Sequence, residues 1–125
     1  MQQVQNHPSV EKGAVDLVLL GTGADGHCAS LFPESPEAAF TGNDAYVGKS
    51  SESAVTCTLG GFLNNAKQVV VSASGNGRAL MVLGALSKGA SSPMPAAQVR
   101  GRDVTWFVDD DSFAEYAEVV LKRRN

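Results

Sequence analysis

The chain reads as one α/β domain built on a mainly parallel sheet, and three observations predict this. Short runs rich in β-branched and other apolar residues (15–20, 67–73 and 104–108) are separated by turns and by stretches of helical periodicity. The first run ends in a glycine-rich turn, as strands of open parallel sheets do at their carboxyl ends. A length of 125 residues suffices for one hydrophobic core but not for two ordinary domains.

The elements follow in order. Residues 1–14 are polar, with Pro8 and Gly13, and read as a lead-in. The apolar run 15–20 predicts the first strand. After the glycine turn, residues 29–32 have room for at most one helical turn, because Pro33 and Pro36 block continuation. Residues 34–53 are rich in Ser, Gly, Glu and Asn and read as a long irregular connection. Val55-Thr56-Cys57-Thr58-Leu59 alternates and predicts a strand; 60–66 reads as a turn or short helix. The run 67–73 is the most apolar strand, closed by Ser74-Gly75-Asn76-Gly77. A helix over about 77–87 would bury Ala79, Leu80, Leu83 and Leu86. A Gly/Ser/Pro loop over 88–97 precedes the last strand, 104–108. The final helix opens on Ser112-Phe113-Ala114-Glu115, which fits a capping box, and presents Phe113, Ala117, Val120 and Leu121.

Composition excludes several classes. A formal net charge of −3 leaves no basic face for nucleic acid. The one basic cluster, Lys122-Arg123-Arg124, ends a predicted helix, where cations complement the dipole. No apolar run reaches the ~20 residues that span a bilayer, and the amino terminus lacks the basic start and apolar centre of a secretory signal. Cys28 and Cys57 make no disulfide framework, so a reduced, cytoplasmic protein is expected.

The chemistry is expected in the turn Gly21-Thr22-Gly23-Ala24-Asp25-Gly26-His27. Glycines allow a tight turn with exposed main-chain N–H groups, and a carboxylate and an imidazole follow two residues apart. A carboxylate can orient and polarise an imidazole that exchanges protons near neutral pH. Gly21-x-Gly23-x-x-Gly26 also satisfies the dinucleotide fingerprint, but Pro33 forbids the helix whose amino end would meet the pyrophosphate. The acidic residue at suitable distance, Asp44, lies in a loop with no strand before it. Cys28 adjoins His27 too directly to form a nucleophile–base dyad. Asp25, His27, Cys28 and Cys57 have no recognised zinc spacing. Asp109-Asp110-Asp111 reads as acids that cap a helix start and favour its dipole, rather than as a cation site.

Residues 15–33, Val15-Asp16-Leu17-Val18-Leu19-Leu20-Gly21-x-Gly23-x-Asp25-Gly26-His27-x-Ala29-Ser30-Leu31-Phe32-Pro33, resemble the signature of the 6-phosphogluconolactonase family. The related glucosamine-6-phosphate deaminases share the Gly-x-Gly-x-Asp-Gly-His part but typically continue differently, so Ser30-Leu31-Phe32-Pro33 favours the lactonase branch. Thr56-Cys57-Thr58-Leu59, Asn64-x-Ala66, Ser74-Gly75-Asn76-Gly77-Arg78-Ala79, Pro95-Ala96-Ala97-Gln98-Val99 and Val104-Thr105-Trp106-Phe107-Val108-Asp109 resemble later family segments in order and type. The family's opening strands and Ser-Gly-Gly phosphate loop have no counterpart here. Residues 15–125 therefore resemble the carboxyl-terminal half of such a domain, whose fold is a three-layer sandwich around a mainly parallel, Rossmann-like sheet of the sugar-phosphate isomerase type. Three departures stand out: Cys28 replaces a threonine, Ala54 an arginine and Arg78 a lysine.

The resemblance implies hydrolysis of 6-phosphoglucono-δ-lactone to 6-phosphogluconate in the oxidative pentose phosphate pathway, with no metal and no organic cofactor. It implies His27 as general base, with Asp25 orienting it or contacting sugar hydroxyls. Main-chain N–H groups around Gly21, Gly23 and Gly26 would meet the substrate, and Arg78 would hold its phosphate. Two alternatives stay open: a half-domain that pairs with a missing amino-terminal half or with itself, and a deaminase-like isomerase.

Overall fold

The computed structural model describes residues 14–49, 54–100 and 103–124. Residues 1–13 of the polar lead-in, and 50–53 at the end of the long connection, lie outside the described residues; Ala14, the last residue of that lead-in, is buried. Strands β1 (Leu17–Leu20), β4 (Gln68–Ala73) and β5 (Val104–Val108) form a parallel sheet in the order β1-β4-β5. Leu17 pairs with Gln68, and Val69 with Val104. Strands β2 (Tyr46–Gly48) and β3 (Val55–Cys57) form a separate antiparallel hairpin. Helices α1 (Ala79–Lys88) and α2 (Asp110–Arg124) follow β4 and β5.

Alternation along the three parallel strands separates two faces. Val18, Leu20, Val69, Val71, Ala73, Val104, Trp106 and Val108 contribute to the two core clusters. Over β1 and β4 this face is covered by Cys28, Leu31, Leu59, Leu63, Ala66, Ala96 and Val99. Toward the ends of β4 and β5 it meets Met81, Val82 and Ala85 of α1 and Phe113 of α2. Each fully buried side chain such as Leu31, Leu63 or Val71 contributes about 1.5–3 kcal/mol through removal from water. Among the described residues nothing covers the opposite face: Leu19 is 72% and Phe107 63% exposed, and an open groove of about 400 Å³ runs between them past Val70 to Gly21. Two of the three expected layers are thus present among the described residues.

Several expectations are corrected. The strand expected over Val55 to Leu59 is shorter, Val55–Cys57, and pairs with Tyr46–Gly48, a second strand within the stretch expected to be an irregular connection. Thr58, fully buried, closes this hairpin: its hydroxyl donates to the Asp44 carbonyl at 2.6 Å and accepts the Gly61 N–H at 3.1 Å. In α1 the buried positions are Ala79, Met81, Val82 and Ala85, and Leu80 is 74% exposed. Apolar residues occupy nearly every position of that helix, so periodicity alone cannot select a face. Ser112 does not cap α2. Asp109 does, with its Oδ1 accepting the Ser112 N–H at 2.8 Å while Ser112 Oγ accepts the Asp109 N–H at 3.1 Å. The Ser112 hydroxyl is buried and donates to the Ala73 carbonyl at 2.9 Å, tying α2 to the end of β4. Leu121, expected on the buried face of α2, is exposed. Lys122 pairs with Glu118 at 2.7 Å one turn earlier.

Candidate active site

Strands β1 and β4 are parallel neighbours, so the turns leaving them emerge side by side at one sheet edge. The turn after β1 closes on itself: the Gly23 N–H donates to the His27 carbonyl at 3.0 Å, and the Gly26 N–H to the Gly23 carbonyl at 3.0 Å. This removes two of the expected main-chain donors from the set that could face a ligand. Gly26 has φ +88°, a left-handed conformation that glycine adopts without strain, and its carbonyl accepts the Ala96 N–H at 2.9 Å. Gly23 is required sterically, since a Cβ there would overlap the His27 imidazole. Gly21 lies exposed at the strand end with open space around it.

The turn brings Asp25 and His27 together. Asp25 Oδ1 lies 2.6 Å from His27 Nδ1 and accepts the His27 backbone N–H at 3.0 Å. Partial desolvation pushes the Asp25 carboxyl upward, but the hydrogen bonds from the His27 backbone and ring, with the imidazole's charge, outweigh it and hold Asp25 below the usual carboxylate value. An ionised carboxylate only accepts, so Nδ1 carries the proton of this contact, and Nε2 of a neutral ring is left as the basic nitrogen. Both side chains reach solvent.

Arg78 arrives from the other turn. Its Nε–H donates to the Thr22 carbonyl at 2.7 Å and its Nη1 to the Ser74 carbonyl at 3.4 Å. Cys28 is fully buried, and burial pushes its thiol up to about 12, which leaves it inert beside His27. Ala54 is exposed, and its carbonyl accepts the Lys49 N–H at 2.8 Å. Asp109 caps α2 and also accepts the Gly75 N–H at 3.1 Å. Among the described residues no group of three His, Cys, Asp or Glu side chains is arranged to hold a metal.

Two neighbours escaped the sequence reading. The Phe32 ring packs on the His27 ring with centroids 4.4 Å apart, and the Lys49 ammonium sits 4.5 Å from the Phe32 centroid. Phe32 lies within the recognised motif, but nothing in its spacing signals a ring contact. Lys49 stands in a stretch whose hairpin was not legible, so no sequence signal brought it to this site.

Residues 1–107 match the protein family described as glucosamine-6-phosphate isomerases/6-phosphogluconolactonase. The chain belongs to this family. Within the glucosamine-6-phosphate isomerase/6-phosphogluconolactonase family it is 37% identical over 119 residues to a probable 6-phosphogluconolactonase 1 of Oryza sativa subsp. japonica, covering 86% of this chain and 39% of the rice protein. It is also 34% identical to a glucosamine-6-phosphate deaminase of Clostridium perfringens, covering 80% of this chain and 47% of that protein. Among solved structures, 6-phosphogluconolactonase from Leishmania guyanensis superposes with a TM-score of 0.61 at 34% identity, covering 79% of this chain and 40% of that one. The chain therefore spans less than half the length of these family members. Among the described residues no helix is long and apolar enough to cross a membrane.

Proposed function

We propose that this chain carries the hydrolytic turn of a 6-phosphogluconolactonase and that the reaction is opening of 6-phosphoglucono-δ-lactone to 6-phosphogluconate. The observation that carries the reading is the 2.6 Å Asp25–His27 contact at the mouth of β1, which leaves Nε2 as the basic nitrogen. In this reading Nε2 takes a proton from water as its oxygen bonds to the lactone carbonyl carbon. The tetrahedral oxyanion then collapses, the bond to the ring oxygen breaks, and that oxygen recovers the proton from the imidazolium. Asp25 fixes the ring and offsets its transient charge. The Nη2 end of Arg78, engaged by no described residue, faces the phosphate, and the exposed backbone at Gly21 lies along the sugar. Residues 15–125 form the carboxyl-terminal half of the catalytic domain. We assign the activity to the cytoplasm, on the free thiols of Cys28 and Cys57.

The test compares hydrolysis of freshly generated 6-phosphoglucono-δ-lactone, above its spontaneous rate, with deamination of glucosamine 6-phosphate. Turnover of the lactone alone supports the proposal; turnover of the amino sugar alone replaces it with the isomerase reading. The bare apolar face at Leu17, Leu19 and Phe107 supports a second reading, a half-domain that is active only with a complementary half or a second copy over that face. Solution mass with intact mass of every polypeptide separates these: activity from a monomer refutes the half-domain reading.

A further inference from the structure

The Thr22–Gly23 peptide unit is held at both ends. Its carbonyl oxygen accepts Nε–H of Arg78 at 2.7 Å, and its N–H, on Gly23, donates to the His27 carbonyl at 3.0 Å. A peptide unit is planar and stiff, so orientation imposed at its oxygen is imposed at its N–H. The residue receiving that N–H is the one whose own backbone and ring meet Asp25. The side chains beneath stitch the same turn to β4: Thr22 Oγ1 donates to the Ser72 carbonyl at 2.8 Å, and Ser72 Oγ to the Leu20 carbonyl at 3.1 Å. Arg78 is itself steadied by the Ser74 carbonyl.

We infer that Arg78 is a positioning residue: through the Thr22–Gly23 peptide it fixes the turn that presents Asp25 and His27. The inference rests on the reading of His27 as the base and adds a task to Arg78 that charge alone does not perform. A guanidinium offers Nε–H and two Nη groups in one rigid plane, so Nε and Nη1 can each hold a carbonyl while Nη2 is left to face an anion. A lysine ammonium supplies the charge without the fixed plane. Arg78 is therefore not exchangeable with lysine in this chain, although both carry one positive charge.

Native-state amide exchange by NMR on the 125-residue chain tests this, with Arg78→Gln and Arg78→Lys as variants and the Val71 amide of β4 reporting on the fold. Loss of a charge-assisted hydrogen bond predicts Gly23 exchange faster by about 10-fold or more in both variants, with Val71 unchanged. Unchanged Gly23 exchange in either variant that keeps Val71 protected overturns the inference. In lactone kinetics, positioning predicts that Arg78→Lys lowers kcat by about 10-fold or more with KM little changed. A raised KM with kcat retained overturns it and leaves Arg78 an anion ligand only. If the wild-type chain opens no lactone, or His27→Ala opens it equally well, the reading of the site falls, while the exchange experiment still decides the role of Arg78.

Discussion

Gly23→Ala separates the site from the fold. A Cβ at this position would stand 2.9 Å from Asp25 Oδ1 and closer still to Cε1 and Nδ1 of His27. The Gly23 backbone is outside the left-handed region, so alanine adds no dihedral strain. The obstacle is an imidazole, a side chain that can swing, rather than backbone. Relief requires the ring to move by about 1 Å, and a displacement of that order at a reacting group costs ~10²-fold in rate. It also breaks the 2.6 Å contact with Asp25, so the loss of kcat should lie between ~10²-fold and the ~10⁴-fold expected for removing a general base. Stability should fall by about 1–3 kcal/mol, the usual cost of one extra methyl in a packed place. Thermal unfolding, lactone kinetics and the low-field NMR signal of the Nδ1 proton are the assays. Gly48→Ala, where the new methyl meets open space, is the control and should change none of them. A Gly23→Ala chain that keeps both its activity and its low-field signal would refute the geometry argued for this turn.

Other consequences are independent of that one. Asp25 has its folded-state pKa held below the unfolded value of 3.8, so its contribution is present above that pH and disappears as pH falls through the lower folded value. Asp25→Asn should therefore lower Tm at pH 6, and its Tm should converge on wild type in strong acid; a constant difference across that range contradicts the assignment. Cys28, fully buried with its thiol pushed up to about 12, should resist a thiol reagent at pH 8 until the chain unfolds, and Cys28→Thr should retain activity. Rapid labelling of native Cys28 would show the thiol is accessible after all. Leu63→Ala removes a fully buried side chain and should cost about 2–5 kcal/mol in denaturant unfolding; a loss below 1 kcal/mol by that measure would mean the core relaxes around the gap.

The parallel sheet was legible because its strands are apolar runs with abrupt ends: Gly21 stops β1, Ser74-Gly75 stops β4, and Asp109 stops β5. The juxtaposition of Asp25 with His27 was legible for a related reason, since two side chains two residues apart in a tight turn have little choice. What stayed hidden depends on contacts distant in sequence. The β2–β3 hairpin is two three-residue strands, and its closure depends on Thr58 reaching the Asp44 carbonyl. The orientation of α1 is chosen by the partners available, Trp106, Val108 and Phe113, rather than by its own nearly uniform apolar sequence. Arg78 was identifiable as a cation near the site, but its hydrogen bond to Thr22 spans 56 positions and follows only from the β1–β4 pairing. Of the two caps the sequence offers at this helix start, Asp109 holds the position and Ser112, three residues later, answers it in return, so the helix begins earlier than the Ser112 motif alone implies.

The central claim is that His27 takes the proton from the attacking water. Initial rates of lactone opening by the wild-type chain and by His27→Ala, each corrected for spontaneous hydrolysis, test it most directly. The account predicts a loss of ~10²- to ~10⁴-fold with the fold intact by thermal unfolding. A variant within a few-fold of wild type would contradict it.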